Sequence, residues 1–295
     1  MNEKRRSIGT RHLAQVFHAV HNVTYYASEI NAFKDAGMRG WWMAYFAYRA
    51  APMGAVPGEV VLATFYNFAP RMVQRAVPAV WDVMSPEQVI ALRARCVDQA
   101  LRRLLAGHLD DPELAEAAQL ARDAIDGCPS TGRALYAGYT ALPWPDAPHR
   151  VLWHACTLLR EHRGDSHNIA LAAAAVDGVE SHVLMVARGH GNKASILPIR
   201  GWTAEEWDAG VVRLVERGWL NPDGTFTDQG QTSRQEIEAH TDRLAHEPYR
   251  RLGSPGTQRL MELTAPYIDR LQRGGITTAW PPAHLLRPDP SAPAS

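Results

Sequence analysis

Apolar residues recur at three- and four-residue intervals along most of this chain, which is the spacing typical of amphipathic helices. Over residues 10–33 the apolar positions are Leu13, Val16, Phe17, Val20, Val23 and Ile30. Residues 85–107 give the most regular case, with Ser-Pro-Glu at the start and a glycine at the end. These are ordinary start and stop signals of a helix. The pattern predicts a mainly α-helical protein.

One stretch, residues 203–230, interrupts the helical pattern. Thr203 followed by Glu206 predicts a capping box at a helix start, and Gly218 marks the end of that helix. Trp-Leu and Thr-Phe-Thr then flank Asn-Pro-Asp-Gly, an arrangement typical of a hairpin turn. Together with the two helices that precede it, this order predicts a winged helix, with three helices and a short β-hairpin wing.

Four prolines between residues 129 and 148 mark the predicted boundary between two helical lobes. We expect an N-terminal helical lobe over residues 1–145 and the winged-helix lobe over 146–252. A C-terminal helix and extension follow over residues 253–286. The last nine residues, 287–295, are rich in proline and serine, a composition that predicts a disordered tail.

Composition limits the function classes. Hydrophobic residues make up 46% of the 295 residues, charged residues 21%, and the formal net charge is zero. A protein that depends on non-specific nucleic-acid contact usually carries a basic surplus. The three cysteines lie far apart, which argues against a zinc or disulfide framework. With no signal-peptide pattern and no apolar run long enough to cross a membrane, we expect a cytoplasmic protein and no membrane partner.

The predicted recognition helix and wing are poorly suited to DNA. Residues 203–217 contain four acidic side chains against two arginines, a local charge of −2. Extending the segment to residue 230 adds two aspartates and no base, giving −4. Because carboxylates repel phosphates, DNA binding through residues 203–230 is not expected. A winged helix used for packing or for a ligand fits this charge better.

The sequence EHRGDSH at residues 161–167 places five ionisable side chains between two apolar segments. Gly164 is expected to end one helix and Asp165 to cap the next. That explanation does not cover His162, Arg163 and His167. His154 lies two helical turns before His162, so the two histidines are expected on roughly one face.

A second set of polar residues occurs in the first seventy positions. His18, His21 and Tyr25 follow one another at helical spacing, Arg49 lies near Tyr45 and Tyr48, and Asn67 is surrounded by aromatic residues. Buried polar groups need hydrogen-bond partners, so a shared pocket is one interpretation and a structural hydrogen-bond network is the other. In the pocket interpretation the acid–base residues are His162, Asp165 and His167, and the ligand-binding residues are His21, Tyr25, Arg49, Asn67, His154 and Arg163.

The chemistry expected of such a pocket follows from its residue types. Histidine exchanges protons near neutral pH, a carboxylate can orient it, and arginine binds carboxylate or phosphate groups. His162, Asp165 and His167 also match the ligand types of a non-haem iron centre, but their spacing is not that of a known metal motif, and we predict no metal there. The sequence contains no phosphate-binding loop or nucleophile elbow, and it identifies no cofactor.

Several segments together resemble an actinobacterial family of helix-turn-helix, MarR-like proteins of about this length. They include HNVTYYASE, GMRGWWMAYFAYRAAPMGAV, EVVLATFYNFAP, LPWPDAPHRVLWHACTLLREHRGDSH and RLVERGWLNPDGTFTDQG. The resemblance runs from about residue 12 to residue 252 and implies two helical lobes, the second a winged helix. It implies signature positions at the nine pocket residues given above, and it implies no particular reaction.

Three functional hypotheses follow. The first is a small-molecule-binding protein on a repurposed winged-helix scaffold, with an acid–base enzyme of secondary metabolism as one version. The second is a MarR-like, ligand-responsive DNA-binding regulator acting as a homodimer. The third is a structural or partner-binding protein in which the polar residues only stabilise the junction between the lobes.

Overall fold

The computed structural model describes residue 14 and residues 16–277, and this part of the chain is almost entirely helical. The helices are α1 (16–21), α2 (Val23–Tyr26), α3 (Ala32–Asp35), α4 (Gly40–Ala50), α5 (Gly58–Phe65), α6 (Pro70–Gln74), α7 (Val80–Val83), α8 (Pro86–Leu104), α9 (Pro112–Ile125), α10 (Ala134–Thr140), α11 (Pro148–Ala173), α12 (Gly178–Ala187), α13 (Lys193–Arg200), α14 (Ala204–Glu216), α15 (Asp228–Leu244) and α16 (Glu247–Arg273). Two short 3₁₀ helices, Ser28–Asn31 and Ala51–Met53, precede α3 and follow α4. The prediction of a mainly helical protein is confirmed.

Side-chain caps fix the starts of several helices. The backbone N–H of Glu206 donates to Thr203 Oγ1 at 3.2 Å, and the Glu206 carboxylate accepts from the Thr203 N–H at 2.8 Å. This is the capping box predicted from the sequence. The same arrangement starts α8 at Ser85 and α12 at Asp177. Each box satisfies backbone donors that would otherwise lack partners at a helix start.

The segment EHRGDSH does not join two helices, because α11 runs without interruption through it. The predictions of a helix end at Gly164 and of an N-cap at Asp165 are therefore wrong. A glycine inside a helix costs about 1 kcal/mol relative to alanine, but the buried residues on both sides of it hold the helix together. The Asp165 carboxylate instead accepts from the backbone N–H of Tyr136 in α10 at 3.0 Å.

Two hydrophobic cores are present, and α11 contributes to both. The first core contains residues from α1 to the first half of α11 and from α16. The second contains Ala170 and Leu171 from the end of α11 together with residues of α12 to α15. The polar middle of α11 lies between the two cores. The domain boundaries given above, including the one after residue 145, stay predictions.

The predicted β-hairpin wing is not formed as two strands. Over residues 16–277 the only β pairing is a single antiparallel bridge between Leu220 and Phe226. Thr227 follows at once and caps α15, with its hydroxyl accepting from the Gly230 N–H at 3.0 Å. Two backbone hydrogen bonds flank the bridge, from the Asn221 N–H to the Thr225 carbonyl at 2.8 Å and from the Thr227 N–H to the Trp219 carbonyl at 3.1 Å, and α15 begins directly after them. A compact turn connects α14 to α15 in place of the wing.

No single helix within residues 16–277 is long and apolar enough to cross a membrane. The bent pair α11 and α12 passes a test of length and composition, with an angle of 98° between its helices. Most of α11 is buried inside the protein. The predicted tail over residues 287–295 lies outside the described residues.

Candidate functional site

Two adjoining cavities lie where the polar middle of α11 meets α4 and the loop after α5. The first has a volume of about 450 Å³ and the second about 290 Å³. We call them the first and the second cavity. Both are lined by His18, Tyr45, Asn67, Arg160, His167 and Arg200. Because six residues are common to both, the cavities form one continuous candidate site.

Helix α11 supplies much of the wall of the first cavity. Arg160, Glu161, Arg163, Gly164, Asp165, His167 and Asn168 all line it. Residues three and four apart lie on the same face of a helix, so one face of the EHRGDSH segment is turned to the cavity. The side chain of His162 lies on another face.

A buried ion cluster joins α4 to α11. Arg49 Nη2 lies 3.0 Å from one carboxylate oxygen of Glu161, and Arg160 Nη1 lies 2.6 Å from the other. Burial alone would raise the pKa of Glu161, but Arg160 and Arg49 hold it below its usual value. Burial likewise disfavours the Arg49 cation, but Glu161 together with Tyr45 and Tyr25 outweighs burial and raises the pKa of Arg49 above its usual value. Glu161 is therefore ionised.

Tyr45 lies among guanidinium groups at the centre of the site. Arg49 Nη1 donates to the Tyr45 hydroxyl at 2.8 Å, and Arg200 lines both cavities together with Tyr45. Burial would raise the pKa of this phenol, but the charges of Arg49, Arg200 and Arg160 lower it below its usual value. Burial lowers the pKa of Arg200 to about 10. The Arg200 guanidinium also lies 4.3 Å from the centre of the Phe68 ring.

Tyr25 has a different environment, although its ring centre lies only 5.6 Å from that of Tyr45. The Thr157 hydroxyl donates to the Trp153 carbonyl at 2.9 Å, so it accepts from Nδ1–H of His21 at 3.0 Å. Burial lowers the pKa of His21 and keeps the ring neutral. Its Nε2 atom therefore accepts from the Tyr25 hydroxyl at 2.9 Å.

His167 is fixed in the same way. The Thr241 hydroxyl donates to the Ile237 carbonyl at 2.8 Å and accepts from His167 Nδ1 at 2.9 Å. Burial lowers the pKa of His167 to about 4, so the ring is neutral at physiological pH. Its Nε2 atom then carries the lone pair. His167 can accept a hydrogen bond from a ligand in either cavity.

Arg163 and Asp165 complete the α11 side of the first cavity. Arg163 Nη2 lies 3.1 Å from an Asp242 oxygen and 3.8 Å from a Glu238 oxygen, which connects α11 to α15. Burial raises the pKa of Asp165 to about 7. The carboxyl group of Asp165 is therefore partly protonated at neutral pH.

The structure brings together most of the predicted site residues. Arg49, Asn67, Arg163, Asp165 and His167 line the first cavity, and Tyr25, Asn67 and His167 line the second. His21 lies behind Tyr25 and holds its hydroxyl. Asp165 contacts a backbone N–H and orients neither histidine.

His154 and His162 lie away from both cavities. The His154 ring packs edge-on against Trp144, with 4.8 Å between ring centres, and the His162 ring packs edge-on against Tyr136 at 5.0 Å. Neither side chain is part of the lining of either cavity. A ligand-binding role for His154 and an acid–base role for His162 do not match these positions.

Several residues of the site were not predicted from the sequence. Glu161 begins the EHRGDSH segment and Arg160 precedes it, but the helix break expected at Gly164 concealed that both line the same cavity as His167. Arg200 ends α13, and nothing in its local sequence indicates a cavity. It reaches Tyr45 only because α13 packs against the loop after α5, where the Ala69 N–H donates to the Arg200 carbonyl at 2.8 Å.

The described residues contain no group of three or more histidine, cysteine, aspartate or glutamate side chains placed to hold a metal ion. His162 lies apart from His167, and Asp165 is engaged by backbone. The iron-type set considered from the sequence is therefore not assembled in this structure.

The fold and the site define a helical protein of the helix-turn-helix class with an arginine-rich internal cavity. The model of a helix-turn-helix family matches residues 10–278, and the chain belongs to this family. No curated protein and no solved structure matches the chain.

Proposed function

We propose that the protein binds an anionic small molecule in the two adjoining cavities. The charge of the second cavity is the observation that carries this proposal. Arg160, Arg200 and Arg234 line it and no acidic side chain among the described residues does, although Glu161 pairs with Arg160 and Glu238 pairs with Arg234 outside the lining. Guanidinium groups bind carboxylate and phosphate through paired hydrogen bonds.

The uncharged part of the ligand is expected to be flat and apolar. Phe17, Phe65 and Phe68 line the first cavity, and Tyr25 and Tyr26 line the second. The volume of the first cavity, about 450 Å³, lies in the usual range of small-molecule sites, which combine apolar walls with a few polar groups. The ligand class is therefore a carboxylate or phosphate attached to an aromatic or unsaturated group.

Acid–base catalysis is one version of this proposal. His167 supports it as a neutral acceptor that faces both cavities, and Asp165 supports it as a carboxyl group with a pKa of about 7. A carboxyl group such as Asp165, which exchanges protons near neutral pH in a cavity, is typical of enzyme sites. In this version the ligand is a substrate, possessing a proton that such groups can remove.

Thermal unfolding in the presence of inorganic phosphate and of benzoate tests the proposal. We expect either anion to raise the melting temperature of the wild-type protein, because a ligand that binds only the folded state stabilises it. Arg160→Gln and Arg200→Gln should abolish this increase. The matched control is Arg273→Gln, which removes an exposed arginine that is paired with Asp269.

Equal stabilisation of all four proteins by the anions would overturn the proposal, since it would reflect a general salt effect. A cavity variant that is itself much less stable would still be informative. The quantity compared is the increase caused by the anion within each protein, and circular dichroism shows whether each variant is folded before heating.

A MarR-like, ligand-responsive regulator is the second candidate function. Membership of a helix-turn-helix family and the order α12, α13, α14 favour it. The charges of α14 oppose it, because Arg213 pairs with Asp177 and Glu180. Arg217 donates to the carbonyls of residues 174 and 175. The two arginines of this segment thus serve contacts within the protein.

A further inference from the structure

Tyr45 differs from the other tyrosines of the site in the direction of its hydrogen bonds. A guanidinium group can only donate, so the Tyr45 oxygen accepts from Arg49 at 2.8 Å. Arg200 lines both cavities together with Tyr45 and adds a second positive charge. The ring is 3% exposed and stacks on Trp41 with 5.0 Å between ring centres. The oxygen is therefore held at the boundary of both cavities by the Arg49 donor.

We propose that Tyr45 is the proton-accepting group of this site and acts as a phenolate base on the bound anion. The inference rests on the proposed anion site, because Arg160 and Arg200 would hold the ligand beside Tyr45. Donors aimed at an oxygen stabilise its negative charge. This proposal narrows the ligand class to anions that also have a removable proton, such as a proton on a carbon atom next to a carbonyl group.

The proton transfer balances without a further reactant. The ligand C–H bond breaks and its electron pair stays on the ligand as an enolate, while the O–H bond of Tyr45 forms. Return of the same proton to a different ligand atom breaks that O–H bond and restores the phenolate. The net reaction is an isomerisation, with no oxidant, reductant or metal ion. The cations around Tyr45 stabilise the negative charge in both positions.

Tyr25 is an internal comparison for this inference. It is also buried and lines the second cavity, but its hydroxyl donates to the neutral His21 at 2.9 Å and so keeps its proton. Burial raises the pKa of Tyr25, whereas the arginines lower that of Tyr45. The charged and titratable groups coupled electrostatically to Tyr45 include Arg49, Arg160, Arg200, Tyr25, Tyr26 and Tyr48. The others that line the cavities with it are His18, Glu161, Arg163, Asp165, His167, His182, Arg234 and Glu238.

NMR of protein labelled at tyrosine Cζ tests the inference on the ligand-free protein, because this carbon reports ionisation of the phenol. Tyr45→Phe and Tyr25→Phe assign the two resonances. We expect the Tyr45 resonance to change at a lower pH than that of an ordinary tyrosine, which ionises near pH 10. The Tyr25 resonance should stay that of a neutral phenol. Arg49→Gln or Arg200→Gln should move the Tyr45 transition to higher pH.

A Tyr45 resonance that changes at or above the ordinary pH, or that is unaffected in whichever arginine variant folds, would overturn the inference. This outcome is separate from failure of the proposed function. If the anions stabilise the wild-type protein but not the Arg160 and Arg200 variants, and Tyr45 has the pKa of an ordinary tyrosine, the protein has an anion-binding site but Tyr45 is not its base. Ionisation of Tyr45 at a lowered pH, without stabilisation of the protein by either anion, would contradict the proposed anion binding but would still show that the Tyr45 phenol is unusually acidic.

Discussion

Glu161 is the carboxylate that holds two buried guanidinium groups together. Its side chain is 1% exposed and pairs with Arg49 and Arg160. Removing one partner of a buried pair leaves charge without compensation, which typically costs about 3–5 kcal/mol. We expect Glu161→Gln to lower the free energy of unfolding by about 3 kcal/mol in urea denaturation.

Glu216→Gln is the matched control for this prediction, because Glu216 is exposed at the end of α14. Surface substitutions of this kind usually change stability by less than about 0.5 kcal/mol. Equal effects of the two substitutions would show that the Arg49–Glu161–Arg160 cluster is not buried as described.

Asp165 predicts an unusual dependence of stability on pH. Burial raises its pKa from 3.8 to about 7 in the folded protein, so between these values the folded state binds more protons than the unfolded state. Stability from this group is therefore complete below pH 3.8 and is lost as the pH rises to 7. Asp165→Asn keeps an acceptor for the Tyr136 N–H and removes the titration.

We expect Asp165→Asn to be more stable than wild type above pH 7, by roughly 2–4 kcal/mol, and to approach wild type in acid. Urea unfolding at a series of pH values measures this difference. A difference between the two proteins that does not change with pH would mean that Asp165 is ionised throughout, as an exposed aspartate would be.

A substitution at Gly164 distinguishes the continuous helix α11 of the structure from a helix that ends at this glycine. A Cβ atom at this position would meet only Glu161 Oε2, at 3.8 Å. Gly164→Ala should therefore raise the free energy of unfolding by about 0.5–1 kcal/mol. A glycine that ended a helix in the left-handed conformation would give the opposite sign.

Gly138 in α10 is the comparison, since it is also a glycine inside a helix. A Cβ atom there would lie 2.8 Å from the Pro52 carbonyl oxygen. Gly138→Ala should accordingly destabilise the protein, by about 1–3 kcal/mol. Urea unfolding of both variants measures the two signs. Destabilisation by Gly164→Ala would contradict the uninterrupted helix.

The helices with local start signals are the ones that could be predicted from the sequence. Ser85 and Thr203 are followed by residues that complete capping boxes, and both helices begin where expected. The helix end predicted at Gly164 was wrong because two hydrophobic cores stabilise α11 on either side of this glycine. This tertiary support cannot be recognised in the local sequence. The two-stranded wing predicted after Gly218 was wrong because Thr227 caps α15 and shortens the second strand of the predicted hairpin.

The candidate site was predictable to the extent that its residues cluster along the chain. Arg163, Asp165 and His167 lie within five positions, and all three line the first cavity. Arg200 and Tyr45 are far apart in sequence and meet only through packing. His162 shows the converse, since proximity along a helix does not place a side chain on the same face.

Across the described part of the molecule, five arginines line the two cavities, whereas α14 contains a single basic side chain, that of Arg213. Arg213 Nε lies 2.8 Å from Glu180, and Lys193 lies 2.5 Å from Asp208. Phosphate contacts require cations free to displace counterions, and their number sets how steeply affinity falls with salt. A surface that offers few such cations binds duplex DNA weakly at any sequence.

We therefore expect fluorescence anisotropy with a labelled duplex to show weak binding with a shallow dependence on salt, and Arg213→Gln to change neither. The variant removes the cation that a recognition helix at α14 would need most. A steep salt dependence that is reduced in Arg213→Gln would favour the regulator over the small-molecule function. If phosphate also displaced the duplex, the cavity and the helix-turn-helix surface would be coupled, since an anion that binds one of two states shifts the population of both.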